Sequence, residues 1–324
     1  MILLIFLISS LLKSEEAKII KYLDFLWKES YREVIEFEKN YFSKYKNHPL
    51  FYTLRTIRYF EYFMDFYEPD SEDKFFENIE KGIYLCEKRL SEERSEEERR
   101  DILFLKGVLI AYSAMFEGIR DNYVPALSKG FKGYSIIKKF KDYPDSYLAL
   151  GIYDYGASVI QKYTGRVFIK GDRREKGIKE IKFALINGVF MKPSSYDALI
   201  EIFLREKLGD SACKWAERFY EEFGESRRTL FALGNAYRRS GYWEKALEIY
   251  LKLLNYVDKQ NSNYNKGIVR LYIAESYYVL NKDREEAKKL LDEAEGYILK
   301  SRWYRRDKIL DYIKKLRRQK FFKN

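Results

Sequence analysis

With 324 residues, 46% of them hydrophobic and 34% charged, the chain is too apolar for disorder and too long for one compact core, so it predicts two globular domains or one extended array. One histidine and two cysteines leave almost no material for zinc or haem ligation, or for a nucleophile activated by histidine. The net charge of +11 sits at one end: residues 300–324 hold eleven Lys or Arg against two Asp, and the rest is nearly neutral.

In chain order, Met1 to Leu12 form an apolar run followed by Lys13 and the acidic pair Glu15-Glu16. The run is shorter than the roughly 17–25 residues of a bilayer-spanning helix but matches a signal-peptide core. Residues 1–17 are therefore expected to be a signal peptide or an N-terminal apolar anchor, with the protein exported to the periplasm or cell envelope. Alternation of period two is nowhere sustained, so no β-sheet is predicted, and 18–324 read as successive helix pairs. Helices over 18–27 and 31–45 form the first pair, closed by Asn47-His48-Pro49, where the position before proline disfavours helix. Helices over 50–67 and 73–90 form the second, divided by Glu68-Pro69-Asp70. The charged stretch 91–100 reads as a solvated turn and helix start, and helices over 100–120 and 124–140 form the third pair. A fourth begins near Asp145, but its second helix is delayed to 173–186 by an insertion around 161–171. The clearest repeats occupy 192–299, and 303–322 read as a terminal basic helix. Cys86 and Cys213 fall about three helix pairs apart, as two isolated and mostly buried thiols.

An internal echo carries the fold assignment. Leu199, Ile200, Phe203, Ala212, Ala216 and Phe219 return 34 residues later as Leu233, Gly234, Tyr237, Ala246, Tyr250 and Leu253. A third copy, Ala274-Glu275, Tyr278, Ala287, Leu291 and Ala294, follows after 41, with the extra residues near 261–265. A fixed period with apolar residues on two successive helical stripes marks stacked helical hairpins. Gly209 is placed to end one helix in the left-handed region while Asp210 caps the next, and Gly241 ends the helix of the following unit. The spacing of Leu230, Leu233-Gly234, Tyr237, Ala246, Tyr250 and Leu253 resembles a tetratricopeptide repeat, with Leu230 at the usual Trp and Asp258 at the closing Pro. Residues 143–151, with Gly171-Asp172-Arg173 and Gly177, are similar to a segment of some bacterial tetratricopeptide proteins of unassigned activity. The resemblance implies an all-α fold, a right-handed α-α superhelix of about seven helix pairs. It also implies a non-enzymatic scaffold or adaptor of the bacterial cell envelope that binds another protein or peptide in its concave groove.

In that family the first helix of each pair lines the groove, which makes Arg228, Phe231, Asn235, Arg238 and Arg239 the expected partner-binding residues. Asn235 sits where some members place an Asn that clamps a peptide carboxyl terminus, while neighbouring units supply Asp197, Glu201, Tyr272 and Ser276. Two readings stay open for Arg302, Arg305, Arg306, Lys314, Lys315, Arg317, Arg318 and Lys320. They either bind an anionic membrane surface or polyanion, or form a polar capping helix whose charge complements the backbone dipole. The first of these supports a second functional reading, a cytoplasmic nucleic-acid or ribonucleoprotein adaptor. Lys170 to Arg174 offers either an anion site or simply an N-cap at Asp172. Hydrolysis by carboxylates, through Asp154 or Asp172, is the remaining enzymatic class. No catalytic residue, metal, cofactor or small-molecule substrate is expected.

Overall fold

The computed structural model describes residues 10–67, 69–165 and 169–322, with side chains from Ser14 onward. Most of the expected leader and part of the insertion thus lie outside the described residues. Every regular element among them is helical: α1 (Ser10–Trp27), α2 (Tyr31–Phe37), α3 (Pro49–Phe66), α4 (Glu72–Ser91), α5 (Glu96–Ile119), α6 (Tyr123–Ile137), α7 (Ser146–Thr164) and α8 (Arg174–Asn187). There follow α9 (Lys192–Arg205), α10 (Gly209–Phe223), α11 (Arg227–Arg239), α12 (Trp243–Val257), α13 (Asn263–Val279), α14 (Arg284–Lys300) and α15 (Arg306–Arg317). Helices pack chiefly on their neighbours in sequence, as stacked hairpins do. The expected all-α class, built from helices packed in adjacent pairs, is what the described residues show. The chain forms two compact units, one of residues up to 61 with 71–198, the other of 62–70 with 199–324.

In the first unit, the single helix expected over 31–45 is broken. After α2 the chain makes a π turn over Glu38–Phe42 and a 3-10 turn over Ser43–Tyr45. The widened turn accompanies an inward Glu38, which is buried and lies 3.2 Å from the guanidinium groups of both Arg55 and Arg58. Pro49 begins α3 at the first helical position, where its missing N–H is not needed. Within the charged stretch, Ser95 accepts the Glu98 N–H at 3.2 Å, so α5 starts earlier than expected, with three glutamates in its positive first turn. Helix α5 is long and apolar enough to cross a bilayer. Within the fold, however, it is a core helix: Leu109 fills the space beside Gly82 of α4, and Phe116 stacks on Phe75 at 4.6 Å. Helix α7 runs on to Thr164 and is ended by Gly165 at φ 66°. It crosses α8 at backbone contact, because a Cβ on Gly151 would lie 2.5 Å from the Gly177 carbonyl oxygen.

In the second unit, Ser226 and Thr229 form a reciprocal capping box that starts α11. Gly234 leaves room for the Tyr250 ring, which a Cβ there would meet at 2.8 Å. Gly241, at φ 85°, takes the left-handed position expected of it. Gly209 does not; the left-handed residue in that turn is Lys207, at φ 60°. Gly209 instead begins α10 where Ser240 comes close, and Asp210 accepts a hydrogen bond from the Tyr242 hydroxyl at 2.5 Å rather than capping the helix. The terminal helix is shorter than expected, Arg306–Arg317, followed by a 3-10 turn over Lys320–Phe322.

Residues 62–70, the last turn of α3 and the loop after it, are built into this unit. Asp65 forms a buried ion pair with Arg227 at 2.5 Å. Two carbonyls at the end of α3 also find partners: Asn265 Nδ2 donates to Asp65 O at 2.7 Å and Ser262 Oγ to Phe66 O at 2.8 Å. Trp303 packs on Phe63 and Tyr67, with ring centroids 5.3 and 5.0 Å apart.

Candidate protein-binding groove

The expected groove residues of α11 divide by what already holds them. The Tyr250 hydroxyl donates to Asn235 Oδ1 at 3.0 Å, which commits the amide carbonyl and leaves the amide nitrogen as donor. Arg238 lies over the Tyr272 ring at 3.9 Å and donates from Nη1 to Glu275 Oε2 at 2.9 Å. The other oxygen of this buried carboxylate accepts the hydroxyl of Tyr312 on α15. Burial works against the Arg238 charge, yet Tyr272, Tyr250 and Glu275 around it hold its pKa above the usual arginine value. Burial, together with the bond to Glu275, likewise pushes the Tyr312 hydroxyl up. The result is a polar chain through α11, α13 and α15, stacked on an aromatic face.

Around that centre, Phe231 lies 5.5 Å from the guanidinium of Arg227, and Arg228 is half-buried. Arg239 is exposed and pairs with Glu201 at 2.8 Å. Ser276 is buried and donates to the Tyr272 carbonyl of its own helix, while Asp197 belongs to the first unit. Sequence reasoning missed Glu275, Tyr250 and Tyr312 as members of the centre. One signal was present: Glu275 occupies the repeat position that is Gly234 in the preceding copy, and a carboxylate at a close-packing position calls for a cation nearby.

The terminal basic residues are mostly engaged. Arg302 grips both oxygens of Asp70 at 2.7 and 2.6 Å, and Arg317 reaches Asp292 at 2.7 Å and Glu295 at 2.6 Å. Arg306 donates to the Ser301 carbonyl at 3.2 Å, Lys314 pairs with Asp311 at 3.4 Å, and Arg305 lies 5.9 Å from the Tyr304 ring. Lys315, Arg318 and Lys320 are exposed without an ion pair among the described residues. In the first unit, Asp154 is buried beneath Arg173 and Lys176, while Asp172 binds the Arg174 amide at 3.0 Å and its guanidinium. Neither carboxylate has the poised, unpaired character of a general base.

No curated protein sequence matches the chain. Among solved structures it is similar to a Pyrococcus horikoshii Signal Transduction ATPase with Numerous Domains (STAND) protein with a tetratricopeptide repeat sensor, at 18% identity and a TM-score of 0.45. The likeness covers 94% of this chain but 45% of that one, so the chain spans less than half of that protein's length. Residues 229–263 match the tetratricopeptide repeat family, whose repeats generally mediate protein–protein interaction. That stretch holds α11 from Thr229 onward, α12, the Gly234–Tyr250 contact and the Asn235 bond, and on this match the chain contains a tetratricopeptide repeat.

Proposed function

We propose that the second unit acts as a non-enzymatic scaffold, holding an extended segment of a partner protein against α11 and α13. The row Asn235, Arg238 and Tyr272 carries this reading. Tyr250 and Glu275 already order its donors, so a peptide carbonyl or carboxylate meets groups that lose little freedom on binding. Crosslinking and pull-down from native membranes, followed by mass spectrometry, tests it. Asn235→Ala with Arg238→Ala is expected to lose the partner captured by the wild type, and Asn235→Ala alone, which leaves the Glu275 pair intact, to weaken it. Unchanged capture by both overturns the reading.

We further propose export to the periplasm or cell envelope, with residues 1–17 as signal peptide or anchor. Mass spectrometry of the mature amino terminus decides, since an intact Met1 in a cytoplasmic fraction removes the argument. A second reading, capture of a nucleic acid or other polyanion by the terminal helix, draws on Lys315, Arg318 and Lys320, which carry no carboxylate partner among the described residues. It requires binding that weakens as salt rises and disappears when all three are changed to Glu.

A further inference from the structure

Helix α6 turns part of its apolar surface outward. On its inward face Ile137 is buried, Gly133 comes within 3.2 Å of the Ala111 backbone, measured from the Cβ it lacks, and Gly130 lies equally close to the Tyr153 ring. Two of its bulky apolar residues point to solvent, Val124 at 70% exposure and Phe131 at 59%. Val124 and Phe131 stand seven residues apart, two helical turns, so they share one stripe, with Ser128 and Ser135 between and beyond them. Lysines flank it. From Tyr123 to Lys141 there are five lysines and no acidic residue, and Lys129 is paired with Glu117 at 2.6 Å. Lys132, Lys138 and Lys139 are exposed and carry no ion pair among the described residues. The second helix of the next pair, α8, repeats the combination with Ile186 at 72% exposure, Phe183 also exposed, and Lys179 nearby.

We propose that the outer face of α6 is a docking surface for an anionic phospholipid bilayer. The apolar side chains enter the boundary between headgroups and acyl chains, while the lysines lie over the lipid phosphates, their long stems reaching past the buried rings. Charge complementarity selects this occupant. A face bearing only cations repels a cationic surface, and a groove-bound peptide does not need two bulky apolar groups held out to solvent. The inference does not depend on the binding groove, which lies in the other unit.

The test is sedimentation of the full chain with vesicles of phosphatidylcholine alone or mixed with phosphatidylglycerol. The wild type is expected to sediment with the mixed vesicles, less so as salt rises, and only weakly with phosphatidylcholine. Removing a lysine costs roughly fivefold in affinity; changing Lys132, Lys138 and Lys139 together to Glu is therefore expected to abolish binding. Phe131→Ser, an exposed change that leaves the inward face untouched, is expected to weaken binding without altering its salt dependence. If Lys315→Glu with Arg318→Glu and Lys320→Glu abolishes sedimentation while the α6 variants sediment as the wild type does, the vesicle site is the terminal helix and the proposal falls. The proposal falls if the wild type ignores the mixed vesicles. It falls equally if the α6 variants bind as the wild type does. Capture of soluble polyglutamate with no dependence on Phe131, in place of vesicles, would make the face a protein-docking surface and overturn it too.

Discussion

Gly151 and Gly177 show how much depends on a missing methyl group. Gly151→Ala would drive its Cβ to within 2.5 Å of backbone that cannot rotate away, so α7 and α8 must separate, at a cost of about 1–3 kcal/mol. Gly156, five residues on in the same helix, has open space where a Cβ would go. Gly156→Ala is accordingly expected to be neutral or to stabilise by up to about 1 kcal/mol, and paired thermal melts of the two variants check the contrast. Asp145 has a similar hidden role: its carboxylate accepts the N–H groups of Val189, Phe190 and Met191 at 3.0, 3.0 and 2.9 Å, closing the turn that leads into α9. Asp145→Ala leaves three donors without that acceptor and is expected to lower stability by roughly 1–3 kcal/mol in a denaturant titration. In the sequence these residues stand out only as a resemblance; the close approach and the three N–H groups are what explain them. His48 gives the pH dependence. Burial, then Arg89 and Arg94, pull its pKa from 6.5 to about 4, and its Nδ1 accepts the Leu50 N–H. Between these values the unfolded chain holds a proton that the folded chain refuses. Stability is therefore complete above pH 6.5 and falls on acidification toward pH 4, by up to roughly 3 kcal/mol, and His48→Gln should flatten that limb of the melting profile.

Among elements, those whose two faces differ in polarity were legible. The pairs over 192–299 follow from period and stripe alone, and every echoed position falls on one of α9 to α14. The π turn after α2 was not, because an inward glutamate looks the same in sequence as an outward one until its two arginines are placed. Nor was the position of residues 62–70, since periodicity tells which side of a helix is covered but not by what. The groove shows the same division. Asn235 and Arg238 could be read from their repeat positions, whereas Tyr312 joins them only because α15 folds back on the array. The buried Asp65–Arg227 pair makes the clearest test at this scale. Asp65→Ala leaves the arginine charge uncompensated and is expected to cost about 3–5 kcal/mol, whereas Asp65→Leu with Arg227→Met should recover most of that. Hydrogen exchange should localise the loss in the single variant to the start of α13, where Ser262 and Asn265 hold the α3 carbonyls.

At the scale of the whole molecule, each compact unit carries one thiol, Cys86 in the first and Cys213 in the second. Both are buried, and burial pushes Cys86 up to about 12 and raises Cys213 as well, so neither should react with maleimide until its surroundings open. Native labelling rates followed by mass spectrometry then report the opening of each unit separately. Arg227→Ala is expected to speed Cys213 and leave Cys86 unchanged; equal acceleration would mean that the two units unfold as one cooperative body. The order of synthesis adds a last consequence. Asp65 leaves the ribosome 200 residues before Asn265, and Asp70 leaves it 232 residues before Arg302. At about 5–20 residues per second, Phe63, Phe66 and Tyr67 wait roughly 10–50 s for their neighbours. During that interval a nascent chain carries a bare aromatic strip, and a holding chaperone bound there would set the pace at which the protein matures.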